Sequence, residues 1–382
     1  MSLLLPVSTN RVYRISVSVF FFIAGFVFAS WASRIPDIKT ALHLSDAGLG
    51  TVLLALPAGL LSGLPLAGFL VSRYGSKSIL IAGAILYPGI LILLGLATSP
   101  LYLMSALFIF GFCGNLINIA VNKQAIGVEA RYGRSIMASF HGLWSVAGFA
   151  GASFSTIMIS FKISPLQHFI IIFTTAILLL LAAFNHTLPQ ELKQTKQAFF
   201  TKPDSFILKL GMIAFGALVC EGTMFDWSGV YFQKVLGVPT SLRTVGYISF
   251  MGSMATGRFI ADRLVTKYGV KNLLQMSGIF ISTGLFISII FPFIVPATIG
   301  FLLVGLGTSS VVPLTFSLAG KSTKMEAAAA LSALSTIGFL GFLIGPPFNG
   351  FIAQIAGLRW SFTLIGLIGL ATSFMVSKIK MD

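Results

Sequence analysis

Two carboxylates, Glu221 and Asp226, lie inside an apolar stretch that extends over residues 207–233. A charged side chain at the centre of a lipid-spanning helix costs roughly 2.5–3.5 kcal/mol on insertion scales, so such residues usually face a protein interior or a watery cavity. A carboxylate shielded from water also keeps a proton more readily than one in bulk water. The pair therefore predicts a site that exchanges protons or binds a polar ligand, with Glu221 as the first candidate.

The spacing of the two carboxylates restricts how they act together. They lie about 140° apart around a straight helix, so both can reach one cavity only if the helix bends. Gly222 and Gly229 offer places for a bend or a break. For Asp226 a structural alternative is open, because Arg34 or Arg243 could pair with it near the outer end of its helix. Arg34 is also a candidate substrate ligand.

A second polar group follows helical spacing in the stretch 101–123. Gly111, Asn115, Asn118 and Asn122 recur at intervals of four, three and four residues, which places them within about 60° on one helix face. Each amide offers a donor and an acceptor, so three in a row suit the hydroxyl groups of a sugar or polyol. They could equally hold helices together, although such bonds contribute only about 0.6 kcal/mol each in membranes.

Aromatic residues and one histidine extend the candidate site. His141 and Trp144 share a face of the stretch 136–160, while Trp31, Trp227 and Tyr231 could stack on a ring or an apolar body. The ordinary pKa of histidine suits His141 for proton coupling, but a lone histidine is commonly structural. Trp31 and Trp227 could alternatively anchor their helices at the membrane interface.

The composition places the chain in a membrane. It is 56% hydrophobic and 9% charged, with 36 Phe in 382 residues. A bilayer-spanning helix needs about 20 mostly apolar residues. Twelve stretches are long enough to span, and we predict one transmembrane helix for each: 13–33, 47–71, 78–98, 101–123, 136–160, 167–186, 207–233, 243–266, 270–291, 295–317, 326–353 and 359–378. The predicted fold class is therefore an all-α membrane protein with the lipid bilayer as its solvent.

The charge distribution predicts the orientation. With both termini in the cytoplasm, 19 of the 25 Lys and Arg lie on the inner side, as the positive-inside rule requires. This asymmetry explains the net charge of +15 without a nucleic-acid partner. Cys113 and Cys220 both lie in apolar runs, so we interpret them as small buried hydrophobic residues. We expect no disulfide, no metal site and no cofactor.

The longest polar interruption divides the twelve stretches into six and six. We predict an N-terminal six-helix bundle over 1–186, a cytoplasmic linker over 187–206 and a C-terminal six-helix bundle over 207–382. Trp31 and Trp227 superpose when the halves are offset by 196 residues, and basic, glycine-containing loops follow the second and eighth spans. These loops contribute the residues of a predicted cytoplasmic gate: Arg73, Lys77, Arg258, Asp262 and Arg263. The cations Arg73, Lys77, Arg263, Lys267 and Lys271 could equally be ordinary positive-inside anchors, and both interpretations can hold.

Twelve spans in two repeats, with such a loop in each, resemble the major facilitator superfamily of secondary transporters over essentially the whole chain. A narrower similarity to its YbjJ-type branch, near the fucose-permease group, rests on three stretches: Trp31-Ala-Ser-Arg34-Ile-Pro36, Phe140-His141-Gly142-Leu-Trp144-Ser and Glu221-Gly-Thr-Met-Phe-Asp226-Trp227-Ser-Gly-Val-Tyr231. The first loop departs from the family pattern, because Ser72 stands where that pattern has an acid. In the second loop, Asp262 lies five residues after Gly257 rather than four.

The resemblance implies alternating access, in which two bundles rock around a substrate among the first, fourth, fifth and seventh spans. Our hypothesis is a proton-coupled symporter of a small polar solute, multi-pass in a bacterial inner membrane and monomeric. A proton-coupled exporter of amphipathic compounds is the alternative, because many Phe and Met side chains make adaptable walls. A receptor or scaffold without transport is the alternative of another class. No catalytic motif stands in a suitable context, so an enzyme is not expected.

Overall fold

The computed structural model describes residues 7–133, 136–189, 203–322 and 325–379. These residues form fourteen α-helices and two short 3-10 helices, at Phe184–His186 and Thr240–Leu242, and contain no strand. The helices before the linker are α1 Val7–Ala32, α2 Ile35–Ala41, α3 Asp46–Leu53, α4 Ala55–Tyr74, α5 Ser76–Gly95, α6 Pro100–Tyr132, α7 Met137–Ser160 and α8 Pro165–Ala183. After it come α9 Ser205–Lys234, α10 Val245–Tyr268, α11 Val270–Ile290, α12 Ile294–Gly320, α13 Ala327–Ala356 and α14 Leu358–Ser377.

The predicted all-α fold is confirmed, and each predicted span coincides with a helix or a helix pair. Within the described residues, eleven helical segments are long and apolar enough to cross a membrane. The remaining predicted span is α10, which carries Arg258, Asp262 and Arg263. Two details differ from the prediction. The second span consists of α3 and α4, and the short helix α2 follows the first span.

Several helix starts are specified by local sequence. Ser45 accepts a hydrogen bond from the backbone of Gly48 and so caps α3. Ser164 and Gln167 form a reciprocal capping box before α8, and Ser99 caps α6 with Pro100 in its first turn. Asp204 accepts from the backbone of Ile207 at 2.7 Å and starts α9. These caps satisfy amide groups that a helix end would otherwise leave without a partner.

The chain forms two compact units. The first unit comprises residues 1–34 and 55–195, and the second comprises 35–54 and 196–382. In the first unit α1 packs on α7, α4 packs on α6, and α5 packs on both α6 and α8. In the second unit α9 packs on α13, α10 packs on α12, and α11 packs on both α12 and α14.

Residues 35–54, here called the 35–54 segment, pack within the second unit although they precede α4 in the chain. The helix α3 in this segment lies against α13. A Cβ at Gly50 would come within 2.6 Å of the Pro346 carbonyl oxygen, so only glycine fits at that contact. The predicted boundary at 186 did not anticipate this packing, which depends on contacts far apart in sequence. The predicted linker stays a prediction, because residues 190–202 lie outside the described part of the chain.

The two loops that suggested an internal repeat share a backbone conformation. Gly75 has φ 81° and ψ 153°, and Gly269 has φ 78° and ψ 157°. A side chain is disfavoured at positive φ, so each loop requires glycine between its two helices. The equivalence of these turns agrees with the pairing of loops read from the sequence.

The crossing of α4 and α6 depends on the absence of two side chains. A Cβ at Gly59 would lie 1.9 Å from the Phe108 carbonyl oxygen, and one at Gly111 would lie 2.0 Å from the Leu56 carbonyl oxygen. Such separations are far below van der Waals contact. The two backbones can therefore approach this closely only because both residues are glycine. Small residues at helix crossings allow close backbone approach in membranes.

We expect Gly111→Ala to destabilise the protein by about 1–3 kcal/mol, because the added methyl group forces α4 and α6 apart. Thermal unfolding in detergent, followed by the loss of monodisperse protein, measures this effect. The matched control is Gly320→Ala in α12, where nothing lies within 4 Å of the new Cβ. That change should be neutral or stabilise by up to about 1 kcal/mol. Equal melting temperatures for the two variants would contradict the proposed crossing.

Candidate functional site

The first candidate carboxylate forms an ion pair inside the second unit. Glu221 on α9 is buried, and its Oε1 lies 3.6 Å from Nη2 of Arg258 on α10. The two side chains are only 7% and 14% exposed, respectively. Arg258, which the sequence assigned to the cytoplasmic gate, thus lies beside a buried carboxylate, and its gate role stays a prediction. The sequence could not reveal the pairing because it depends on how α9 and α10 face each other.

An aromatic wall lies close to this ion pair. Phe225, one turn after Glu221, stacks on Phe342 of α13 at 6.3 Å and meets Phe250 of α10 edge-on at 5.7 Å. Gly222 makes room for the wall, because a Cβ there would come within 3.0 Å of the Phe342 ring. Of these rings, Phe225 lies next to the buried Glu221 in the sequence of α9, and Arg258 supplies a nearby positive charge.

Asp226 has a different environment. Its side chain is only partly buried, and no hydrogen bond or ion pair reaches it from the described residues. Of the two arginines considered as partners, Arg243 pairs with Asp37 at 3.1 Å. Arg34 is buried in the first unit, where it donates to the Ile163 carbonyl at 2.8 Å and to Nδ1 of His168 at 3.2 Å. The structure thus gives Arg34 contacts that stabilise the first unit.

The two tryptophans that superpose in the sequence share an unusual feature. Trp31 is 1% exposed and Trp227 is 0% exposed, which excludes the alternative that they anchor helices at the membrane interface. The indole Nε1 of each is buried and, among the described residues, has no hydrogen-bond acceptor. Buried Trp N–H groups usually find a partner, so each is a donor that a solute or water could use.

Tyr231 lies in the core of the second unit. Its hydroxyl donates to the Ser288 carbonyl at 2.7 Å, and its ring stacks on Phe362 at 4.6 Å. The side chain is fully buried and its polar atom is satisfied. These contacts favour a structural role for Tyr231 over the substrate role predicted from the sequence.

The residues of the predicted asparagine stripe have different environments. Asn115 is fully buried near Gly63, and neither of its amide atoms has a partner among the described residues. Asn118 is exposed, and its side-chain oxygen accepts a bond from Asn122 at 3.0 Å. The three amides therefore differ in burial, although they share one face of α6. Their role as substrate ligands stays a prediction.

His141 and Trp144 occupy partly buried positions on α7. The His141 ring meets Phe21 of α1 edge-on at 5.3 Å, and Trp144 contacts Phe28 of α1 at 6.1 Å. A Cβ at Gly25 would come within 2.3 Å of the Trp144 carbonyl oxygen, so α1 and α7 are in close contact here. Both residues thus lie along the α1–α7 seam of the first unit.

The remaining gate residues lie at helix ends. Arg73 is exposed at the end of α4, with its guanidinium 5.5 Å from the ring centre of Tyr74, and Lys77 is partly buried at the start of α5. Asp262 and Arg263 are exposed on α10. The described part of the second unit contains no ion pair of Asp262 or Arg263, so their gate role stays a prediction.

Sequence reasoning missed a polar network beside the candidate site. Asn349 on α13 donates to Thr223 at 2.8 Å and to the Gly345 carbonyl at 2.9 Å, and it accepts from Ser361 on α14. Both amide atoms of Asn349 already have hydrogen-bond partners. This network therefore joins α9, α13 and α14 and offers no unsatisfied group of Asn349 to a ligand. The only hint in the sequence was the helical spacing of Asn349 with the glycines of α13.

A second missed feature is the charge cluster around Asp46. The carboxylate of this residue contacts Lys39 at 3.1 Å and also binds Lys234 at the end of α9. Its backbone N–H donates to the Gln354 side chain at 3.2 Å. With the Asp37–Arg243 pair, these contacts attach the 35–54 segment to the rest of the second unit. Asp46 was overlooked because a single acid in a short loop resembles an ordinary helix start.

Comparison with known proteins gives consistent results. The family model of the Major Facilitator Superfamily matches residues 16–336. An uncharacterised MFS-type transporter of Yersinia pestis is 36% identical over 356 residues, which cover 93% of this chain and 92% of that protein. An uncharacterised transporter of Sinorhizobium fredii is 31% identical over 95% of this chain and 97% of its own. The nucleoside transporter NupG has a similar fold, with a TM-score of 0.77 over 96% of this chain and 100% of its own at 12% identity.

We expect Asp46→Asn to lower the free energy of unfolding by about 1.5–3 kcal/mol, because a buried acceptor of two charged groups loses its charge. The matched control is Asp37→Asn, whose partner is equally a cation but whose side chain is 19% exposed against 1% for Asp46. That partly buried pair should contribute less, about 1 kcal/mol, because water screens it more than it screens Asp46. Thermal unfolding of both variants in the same detergent makes the comparison. A larger loss for Asp37→Asn would contradict the ranking.

Proposed function

The chain belongs to the major facilitator superfamily, and we propose that it is a proton-coupled secondary transporter of a small polar solute. Its curated relatives from Yersinia pestis and Sinorhizobium fredii are named transporters and match it along nearly its whole length. The multi-helix membrane fold agrees with that class. Coupling to protons, symport and the solute class are the parts that go beyond family membership.

The observation that carries the proton part is the buried pair of Glu221 and Arg258. A buried carboxylate and a buried guanidinium stabilise each other only while both are charged. A proton on Glu221 would remove that balance and leave the positive charge of Arg258 to find another partner. Protonation thus changes the interaction between α9 and α10, which is the kind of two-state element that coupling requires.

Orphaned polar atoms support a polar solute. The indole N–H groups of Trp31 and Trp227 and the amide of Asn115 are buried without partners among the described residues. Each such group costs about 1–3 kcal/mol until a partner arrives. Hydroxyl groups, which both donate and accept, would satisfy donors and acceptors alike. A sugar-like solute or another small hydroxylated metabolite fits these requirements.

The ion pairs of the 35–54 segment could contribute to the conformational change of alternating access. The segment is continuous in the chain with α1 and α4, while its charged residues bind Lys234 and Arg243. In the proposed cycle these ion pairs break and re-form as the protein alternates. The remaining expectations belong to the same proposal: a bacterial inner membrane, cytoplasmic termini and a monomer.

The decisive experiment reconstitutes the protein in vesicles that contain a pH dye and screens sugars, polyols, nucleosides, organic acids and cationic drugs. We expect one solute class to drive proton movement in the wild type. Glu221→Gln should reduce that proton movement at least tenfold, because the neutral amide cannot carry the proton. The matched control is Asp226→Asn, which removes the other carboxylate of α9 and should retain coupling if Glu221 is the proton site.

The outcomes separate the proposal from its alternatives. Loss of coupling only in Asp226→Asn would move the proton site to Asp226. A flux that depends on membrane potential but not on pH would refute proton coupling. Saturable binding with no flux of any solute would favour a receptor, and proton movement driven only by cationic drugs would favour the exporter.

A second prediction concerns the orphaned indoles. Trp31→Phe and Trp227→Phe should each raise KM for the transported solute about fivefold, because each removes one hydrogen-bond donor while keeping an aromatic ring. Initial uptake rates over a range of solute concentrations measure KM. Tyr102→Phe removes a donor from a more exposed ring and should leave KM unchanged. Unaltered KM in both tryptophan variants would show that the indoles do not contact the solute.

A further inference from the structure

A groove of about 670 Å³ lies in the second unit, away from Glu221 and Arg258. It is bounded by the end of α9, the end of α11 and the start of α14, all of which lie at the predicted outer end. Its lining is mainly apolar, with basic residues and a tryptophan at the rim; the main residues are Lys234, Phe286, Ile289, Leu358, Arg359 and Trp360. None of the candidate substrate or proton residues lines it.

The charged residues that line the groove are basic. Lys234 and Arg359 line it, and no acidic residue does so within the described part of the chain. Arg359 is exposed, and one of its nitrogens donates to the Ile289 carbonyl at 2.8 Å, which fixes the guanidinium at the rim. No described carboxylate pairs with it. Lys234 binds Asp46, but its side chain is still 55% exposed.

The surroundings of the groove are typical of a membrane interface. Trp360 is 61% exposed, and tryptophan is enriched at the level of lipid headgroups. Below it, α14 presents the exposed apolar residues Leu367, Leu370 and Phe374 along the side that continues toward the bilayer centre. The helix α11, which packs on α14, adds Ile279 and Ile290. The cationic rim thus lies at one end of two packed helices that carry exposed apolar side chains along their length.

We infer that this groove binds an anionic phospholipid of the outer leaflet. Its phosphate would lie at Arg359, with Lys234 as a second cation, and one acyl chain would follow the apolar wall of α11 and α14. Basic pockets between transmembrane helices are suited to lipid headgroups in this way. A free phosphate would use the cations but leave the apolar lining without a partner, whereas a phospholipid uses both parts.

The test uses the fluorescence of Trp360 in the full-length protein, reconstituted in vesicles that contain brominated lipids. Bromine quenches a nearby indole. Trp31 and Trp227 are buried and Trp144 is partly buried, so the exposed Trp360 should dominate the quenching. At equal mole fractions we expect brominated phosphatidylglycerol to quench more strongly than brominated phosphatidylcholine, with about fivefold tighter association. Trp360→Phe should remove the selective part of the quenching.

Charge variants identify the headgroup contact. Arg359→Gln should abolish the roughly fivefold preference for phosphatidylglycerol, whereas Arg359→Lys should retain most of it. The matched control is Lys162→Gln, which removes another exposed cation predicted to lie at the outer side, in the first unit, and should leave the preference intact.

Three results would overturn the inference. Equal quenching by both lipids would show apolar contact without headgroup recognition. An unchanged preference in Arg359→Gln would place the anionic lipid elsewhere. Loss of the preference on adding glycerol phosphate at millimolar concentration would show that the cations alone bind a phosphate and that the apolar lining does not select a lipid.

Discussion

The cost of placing a charge in a membrane interior organises the second unit. Glu221 is acceptable on α9 because Arg258 of α10 faces it, and the two side chains are only 7% and 14% exposed. Breaking such a pair from one side leaves an uncompensated charge, which is far more costly than replacing both partners. Any solute or proton that acts on Glu221 must therefore also act on Arg258, and through it on the packing of α10.

Polar groups inside this protein fall into two kinds. Asn349, Thr223 and Ser361 satisfy one another and join three helices, so they behave as part of the scaffold. Trp31 and Trp227 keep a donor with no acceptor among the described residues, at positions that superpose when the halves of the sequence are offset by 196 residues. Since proteins rarely leave buried donors unpaired without reason, this contrast separates scaffold from candidate binding groups. Burial alone would not have distinguished them.

Much of the fold could be predicted from the sequence because the bilayer permits few structures. A long apolar run must satisfy its backbone internally, so hydropathy alone placed all twelve spans. Gly75 and Gly269 could likewise be recognised from the sequence, because a loop with positive φ favours glycine. The pairing of side chains between helices has no comparable signal in the sequence. Arg258 reads as an ordinary loop cation, and only the facing of α9 and α10 makes it the partner of Glu221.

The same limit applies to the asparagine stripe and to the packing of the 35–54 segment. Helical periodicity places Asn115 and Asn118 on one face, but it does not say where a neighbouring helix packs against that face. Here Asn115 is buried beside Gly63 of α4, and Asn118 is exposed. Similarly, a boundary drawn at the longest polar interruption assumes that each half packs with itself. The 35–54 segment does not, because its charges and its glycine contact find their partners in the second unit.

That packing sets an order of events during synthesis. Asp46 and its partner Gln354 are separated by 308 residues, which at ribosomal speeds corresponds to roughly 15–60 s. Throughout that interval the nascent chain holds an acidic segment at the membrane surface without its partner helix α13. The first six spans can therefore be inserted before the 35–54 segment has its packing partner. That segment reaches its native packing only after the penultimate span has left the ribosome.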